Sequence, residues 1–106
     1  MPVQRAKRGE VWKADLGLIA KTRPVLILGT PGPNHRQIFT YVPHTTHLQG
    51  TEFEVSIPAR YLEKGAFDAQ GISTVQTVKL LKKLGDITPD QLREVENAIL
   101  QWLEID

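Results

Sequence analysis

The chain has 106 residues, with 13 Lys+Arg against 12 Asp+Glu, no Cys and a formal charge of +1. That leaves room for one domain, residues 1–106, and excludes disulfides, thiolate zinc sites and a cysteine nucleophile. No apolar run approaches the roughly 18–20 residues of a membrane span, and MPVQRAKRGE has no apolar core behind its basic residues. No membrane partner and no secretory leader are therefore expected, and the expected location is the cytoplasm. The small net charge hides a segregation. Residues 1–87 carry twelve basic and seven acidic side chains, net +5, and residues 88–106 carry one basic and five acidic, net −4. A basic body with an acidic tail segment points to a polyanion-facing surface; the plainer reading is solvated surface charge.

In chain order, EVWKADL (10–16) reads as a first strand and residues 17–22 as its connection. RPVLILG (23–29) is a short continuous apolar run, the pattern of a strand buried on both faces, with Pro24 tolerated near its start. TPGPNH (30–35) is a loop. RQIFTYVP (36–43) is a third strand with Ile38, Thr40 and Val42 on one face and Phe39 and Tyr41 on the other. HTTHLQG (44–50) is a polar connection. EFEVSI (52–57) alternates as a half-buried antiparallel strand with Phe53, Val55 and Ile57 inward. PARYLEKG (58–65) reads as a helical turn closed by Gly65, AFDAQG as a loop, ISTVQTVKL (72–80) as a strand, and LKKLGDI as a turn followed by a brief strand. The final helix, 88–104, has Thr88 as N-cap, Pro89 at N1, Gln91 completing a capping box and Ile87 with Leu92 as a staple. Leu92, Val95, Ile99, Trp102 and Leu103 form its apolar stripe. The sum is a mostly β (α+β) fold: a small barrel or strongly bent sheet over residues 1–87, with a C-terminal helix packed on it.

No phosphate-binding Gly-rich loop, HExxH or paired-Cys spacing occurs, and three scattered histidines make no metal set, so no metal or cofactor is expected. The conspicuous polar cluster is HTTH (44–47), at the end of the third strand. Its plain reading is turn chemistry; the other is a site. Continued extension would put Thr45 and His47 on one face and His44 and Thr46 on the other. Arg23 opens a buried strand, where its guanidinium wants an anion. An Arg, a Thr and a His together could bind and polarise a phosphodiester.

RGEVWKADL (8–16), RPVLILG (23–29), VPHTTHLQGTEFEV (42–55), GAFDAQGIST (65–74) and the KLLKKLGDIT…L…VE segment (79–96) come in an order that resembles the MazF/PemK family of toxins. The resemblance implies a small bent antiparallel β-barrel, SH3-like and of the CcdB/PemK type, with a C-terminal helix, usually a homodimer, and metal-independent cleavage of single-stranded RNA. It implies catalytic roles for Arg23 and, by the VP-x-T pattern, Thr45, with Thr46 the candidate if the register slips by one. It also implies a cognate antitoxin with an acidic segment, which suits the +5 body. His47 has the right intrinsic pKa for a general base, and His44 is a second candidate for catalysis or RNA contact. Lys21, Gln76 and Lys79 are candidate RNA contacts. Better-known family members carry a longer, Gly-rich first connection, often with an acid; here it is GLIAKT (17–22), with Lys21. Two other functions compete: a non-catalytic toxin of the same fold that poisons a protein such as DNA gyrase, and a plain SH3-like binding module. Retention of Arg23 and Thr45 favours the nuclease. Trp12 and the third-strand aromatics are candidate dimer contacts.

Overall fold

The computed structural model describes residues 5–19 and 21–105; the start of the N-terminal segment, and residue 20 in the first connection, lie outside the described residues. The strands run β1 (Glu10–Asp15), β2 (Thr22–Gly29), β3 (Ile38–Thr45), β4 (Glu54–Val55), β5 (Ala66–Asp68), β6 (Ser73–Gln76) and β7 (Leu80–Asp86), followed by α1 (Pro89–Trp102). Every strand pair is antiparallel. The sheet order is β4-β5-β3-β2-β1-β7, with β6 also on β3. β3 is shared along its length: Ile38–Tyr41 pair with β6, whereas His44 and Thr45 pair with Phe67 and Ala66 of β5. The sheet bends there, as expected for a small bent antiparallel body, without closing into a full barrel.

The apolar run in β2 feeds two clusters. Leu26 and Leu28 join Val11, Val42, Phe67 and the helix residues Val95, Ala98 and Ile99. Val25 and Ile27 join Trp12, Phe39, Tyr41, Val75 and Leu80. Side chains of a strand alternate between faces, so a strand with a core on each side must be apolar throughout. The same packing removes Trp12, Phe39 and Tyr41 as dimer contacts, because all three are buried within this one chain.

The helix forms as its sequence dictates. Thr88 Oγ1 accepts from Gln91 N at 3.1 Å, and Thr88 N donates to Gln91 Oε1 at 2.8 Å. Its stripe packs on the sheet through Leu92, Val95 and Ile99, but Trp102 and Leu103 stay half-exposed, with Trp102 edge-on to Phe53 at 5.3 Å.

The second half of the chain departs from the sequence reading. PARYLEKG forms no helix: its one turn is closed by Leu62 N donating to Ala59 O at 3.1 Å, and Gly65 caps nothing. A single helical turn is costly to nucleate, and Tyr61 is drawn elsewhere, onto Gly85, with its hydroxyl donating to Asp86 O at 3.0 Å. Residues 66–68 of the expected loop form β5, because Ala66 and Phe67 pair with the end of β3. The expected strand over 72–80 is broken by a 3-10 turn at Thr77–Lys79, and the expected turn after it is the body of β7, laid on β1 with two register shifts. In EFEVSI only Glu54 and Val55 make the ladder, although Phe53, Val55 and Ile57 all reach the core.

One buried acid holds β1 to β7. Glu10 accepts from Lys7 N at 2.8 Å and from Trp12 Nε1 at 3.0 Å, and pairs with Lys83 Nζ at 3.0 Å. Burial alone would raise its pKa, but the bonds from Trp12, Lys7 and Lys83 outweigh it and hold the carboxyl below the ordinary glutamate value. A carboxylate lowered in the fold stabilises it above the unfolded pKa, and that stability is lost as pH falls toward the folded value. Glu10→Gln should therefore cost about 1.5–3 kcal/mol at neutral pH and flatten the acid limb of stability, measured by urea unfolding from pH 7 down to pH 3.

Candidate functional site

The site is built where the C-terminal end of β1 and β3 meets the N-terminal end of β2. In the β1–β2 connection, Gly17 (φ +100°) and Lys21 (φ +58°) take left-handed conformations, and Lys21 N donates back to Gly17 O at 2.6 Å. The chain thus reverses within a few residues, and Leu18 and Ile19 stand out at the tip almost fully exposed. Directly after it, Lys21, Thr22, Arg23 and Pro24 form one wall of a cleft of about 540 Å³. His44, Thr46 and His47 form a second wall, Tyr61 and Glu63 a third, and Ile19 reaches the rim.

The strands explain the meeting. Val25 of β2 lies opposite Pro43 of β3 at the last pair of that ladder, and Arg23 and Thr45 each lie two residues beyond it, at the same end of the two strands. Arg23 is half-buried rather than splayed into solvent. Thr45 is not part of the cleft wall: its Oγ1 accepts the His47 amide at 3.1 Å. That bond fixes the rotamer and leaves the hydroxyl proton free to be donated. β3 ends at Thr45 and the chain bends at Thr46 and His47, so the expected alternation fails: His47 joins His44 and Thr46 in the cleft.

His44 is buried, its ring edge-on to Phe67 with centroids 5.1 Å apart. Burial lowers its pKa below the ordinary imidazole value, and Glu63 opposes this in part, so His44 stays neutral further into the acid range than a solvated histidine. Gly65 lies beneath this segment. A Cβ there would collide with the Thr45 carbonyl and come within 2.8 Å of His44 Cε1.

Of the expected RNA contacts, Lys21 lines the cleft. Lys79 sits at the same end of the sheet, its Nζ 4.0 Å from Asp15. Gln76 does not come to the cleft: it pairs with Ile38 at the far end of β3 and lines a separate groove with Arg36 and Val78. Tyr61, Glu63 and Gly65 were missed by sequence reasoning, because a segment read as a helical turn offers no reason to fold back over a strand end. Among the described residues no group of three or more His, Cys, Asp or Glu is placed to hold a metal ion, and no helix is long and apolar enough to cross a membrane.

A family model described as PemK-like, MazF-like toxin of type II toxin-antitoxin system matches residues 7–103. The chain belongs to this PemK/MazF-like toxin family. Solved structures agree. An endoribonuclease in complex with its cognate antitoxin, from a mycobacterial species, is 27% identical with a TM-score of 0.82, covering 96% of this chain and 98% of its own. The Mycobacterium tuberculosis toxin MazF-mt6 is 27% identical with a TM-score of 0.77, covering 92% and 98%. A MazE-MazF structure from Deinococcus radiodurans shares the fold at 21% identity, with a TM-score of 0.78 over 100% of both chains. Among curated protein sequences, none matches. Within this PemK/MazF-like toxin, the family match takes in every wall of the cleft.

Proposed function

We propose that this toxin is a metal-independent endoribonuclease for single-stranded RNA, with Arg23 and Thr45 as its catalytic pair. The observation that carries the reading is the cleft itself, with Arg23 on one wall and His44, Thr46 and His47 on another, directly after Thr45 at the end of β3. Two relatives named endoribonucleases share this fold over nearly their whole length.

The chemistry follows from what the residues are. The 2′-hydroxyl of one nucleotide attacks its own 3′-phosphate, the bond to the 5′-oxygen breaks, and a 2′,3′-cyclic phosphate and a 5′-hydroxyl result. The nucleophile is already in the substrate at high effective concentration. The protein must align it, neutralise the charge gained by the phosphoryl oxygens, take the proton of the 2′-hydroxyl and leave the departing 5′-oxygen open to a proton from water. Arg23 supplies a planar, permanently charged donor for the oxygens. Thr45, its rotamer set by the His47 amide, donates its hydroxyl proton to a phosphate oxygen. Thr46 lines the cleft beside it as the alternative donor, and His47 is the exposed imidazole best placed to take the 2′-hydroxyl proton. Lys21 and Lys79 hold flanking phosphates. The toxin acts in the cytoplasm as a homodimer, and an acidic cognate antitoxin covers the cleft; two of the similar structures were solved with an antitoxin.

The test is incubation of the purified chain with long single-stranded RNA in excess EDTA, with the duplex as control. Discrete fragments from the single strand support the reading. Intact RNA, across sequences that together contain every short motif, overturns it and leaves the gyrase-type poison standing. Thr45 and Thr46 separate in the same assay. Thr45→Ala should slow cleavage about ten- to a hundredfold, the loss of one hydrogen bond to a charged group. Thr45→Ser should keep most of the rate, and Thr46→Ala should change it far less than Thr45→Ala.

A further inference from the structure

Lys13 of β1 and Lys82 of β7 are direct cross-strand partners. Both are exposed. Like charges set opposite each other in a sheet destabilise it, and the usual remedy, an acid alongside, is missing. The nearby acids are engaged elsewhere: Glu10 and Asp86 pair with Lys83, and Asp15 with Lys79. Among the described residues neither Lys13 nor Lys82 has a salt-bridge partner. A lysine on an edge strand commonly guards against aggregation, and β7 is an edge. That accounts for Lys82 but not for a second lysine facing it from the interior strand β1.

Their place relative to the cleft supplies the missing reason. Lys13 is also the direct partner of Pro24 in β2, and Pro24 lines the cleft. Cross-strand partners point to the same side of a sheet. Lys82, Lys13 and Pro24 therefore form one row across β7, β1 and β2, running from the sheet edge to the cleft. On the other side of β1, Trp12 and Glu10 face Lys83, so the two lysines of β7 are divided between a structural ion pair and this row.

We propose that Lys13 and Lys82 form a phosphate-binding subsite that holds the backbone of single-stranded RNA as it leaves the cleft. The inference rests on the ribonuclease reading above and extends it to a second surface. A pair of ammonium groups makes no fork for a base edge, so the subsite binds phosphate without reading sequence. It raises affinity and leaves the chemical step unchanged. A polyanion bound across the two lysines also relieves their mutual repulsion.

The test uses a 2′-O-methyl single-stranded oligonucleotide, which binds but cannot cleave, together with a cleavable RNA. In the Lys13→Gln/Lys82→Gln double variant, kcat should stay at the wild-type value and KM should rise. The slope of log affinity against log salt should shrink by about 1.4, at about 0.7 per phosphate contact on a single strand. The charge swap Lys13→Glu gives the sharper signature. It creates an opposite-charge pair with Lys82, so thermal stability should rise while oligonucleotide affinity falls. A purely structural role would move both the same way or neither. If the wild type cleaves but the double variant keeps its KM and salt slope, the subsite is wrong and the ribonuclease reading stands. If the wild type neither binds nor cleaves RNA, both are wrong. If the variants lose affinity for polyglutamate but not for the oligonucleotide, the lysines serve an acidic protein and the proposal is overturned.

Discussion

Arg23→Ala should all but abolish RNA cleavage and leave the sheet folded. Losing a donor aimed at developing oxyanion charge costs about 10²–10³ in kcat, or about 2.7–4 kcal/mol of transition-state stabilisation. Arg23 is half-buried and near the start of β2, where neither apolar cluster includes it. Its truncation should accordingly change the melting temperature far less than it changes the rate. Arg23→Lys should recover only a small part, because a point charge lacks the planar fork that fits a phosphate bidentately. The measurement is kcat on a cleavable RNA beside circular dichroism melting of the same samples. A full rate in Arg23→Ala would remove the phosphate site from the account.

Gly65→Ala is the second large effect, and it reaches the site through the backbone. The added Cβ has nowhere to go, since the Thr45 carbonyl carbon lies 3.0 Å and His44 Cε1 2.8 Å from where it would sit. Thr45 is held by pairing with Ala66, and His44 is clamped against Phe67, so neither yields as a flexible side chain would. Overpacking of this kind costs about 1–3 kcal/mol of stability. It also forces the His44–Thr45 segment to shift, and a displacement of about 1 Å at a reacting centre can cost about a hundredfold in rate. The expected result is a lower melting temperature together with a strongly reduced kcat measured well below that temperature. A variant with a lowered melting point but a wild-type kcat would show that Thr45 does not need this support.

What could be read without coordinates follows the range of the interactions. The apolar run 23–29 announced a strand with a core on each face, and the Thr88–Gln91 capping box announced the helix, because each signal lies within a few residues. Arg23 and the HTTH cluster were visible for a related reason: an Arg opening a buried strand and four polar residues closing another are local anomalies. The region 58–80 was misread because long-range contacts decide it. Tyr61 is tied to Asp86, twenty-five residues away, and β5 is made by pairing with the end of β3 and with β4. Gly65 looked like a helix terminator from sequence, whereas its lack of a side chain lets the His44–Thr45 segment lie against its backbone. The facing of Lys13 and Lys82 depends on a register that passes through two irregularities, which no pattern of residues reveals.

The chemistry of the RNA ends tests the central claim most directly. Fragments made in excess EDTA should carry a 2′,3′-cyclic phosphate on one side of the cut and a 5′-hydroxyl on the other, with neither species formed by Arg23→Ala. Fragments ending in a 3′-hydroxyl and a 5′-phosphate, or cleavage that stops when EDTA is added, would contradict attack by the substrate's own 2′-hydroxyl at Arg23 and Thr45.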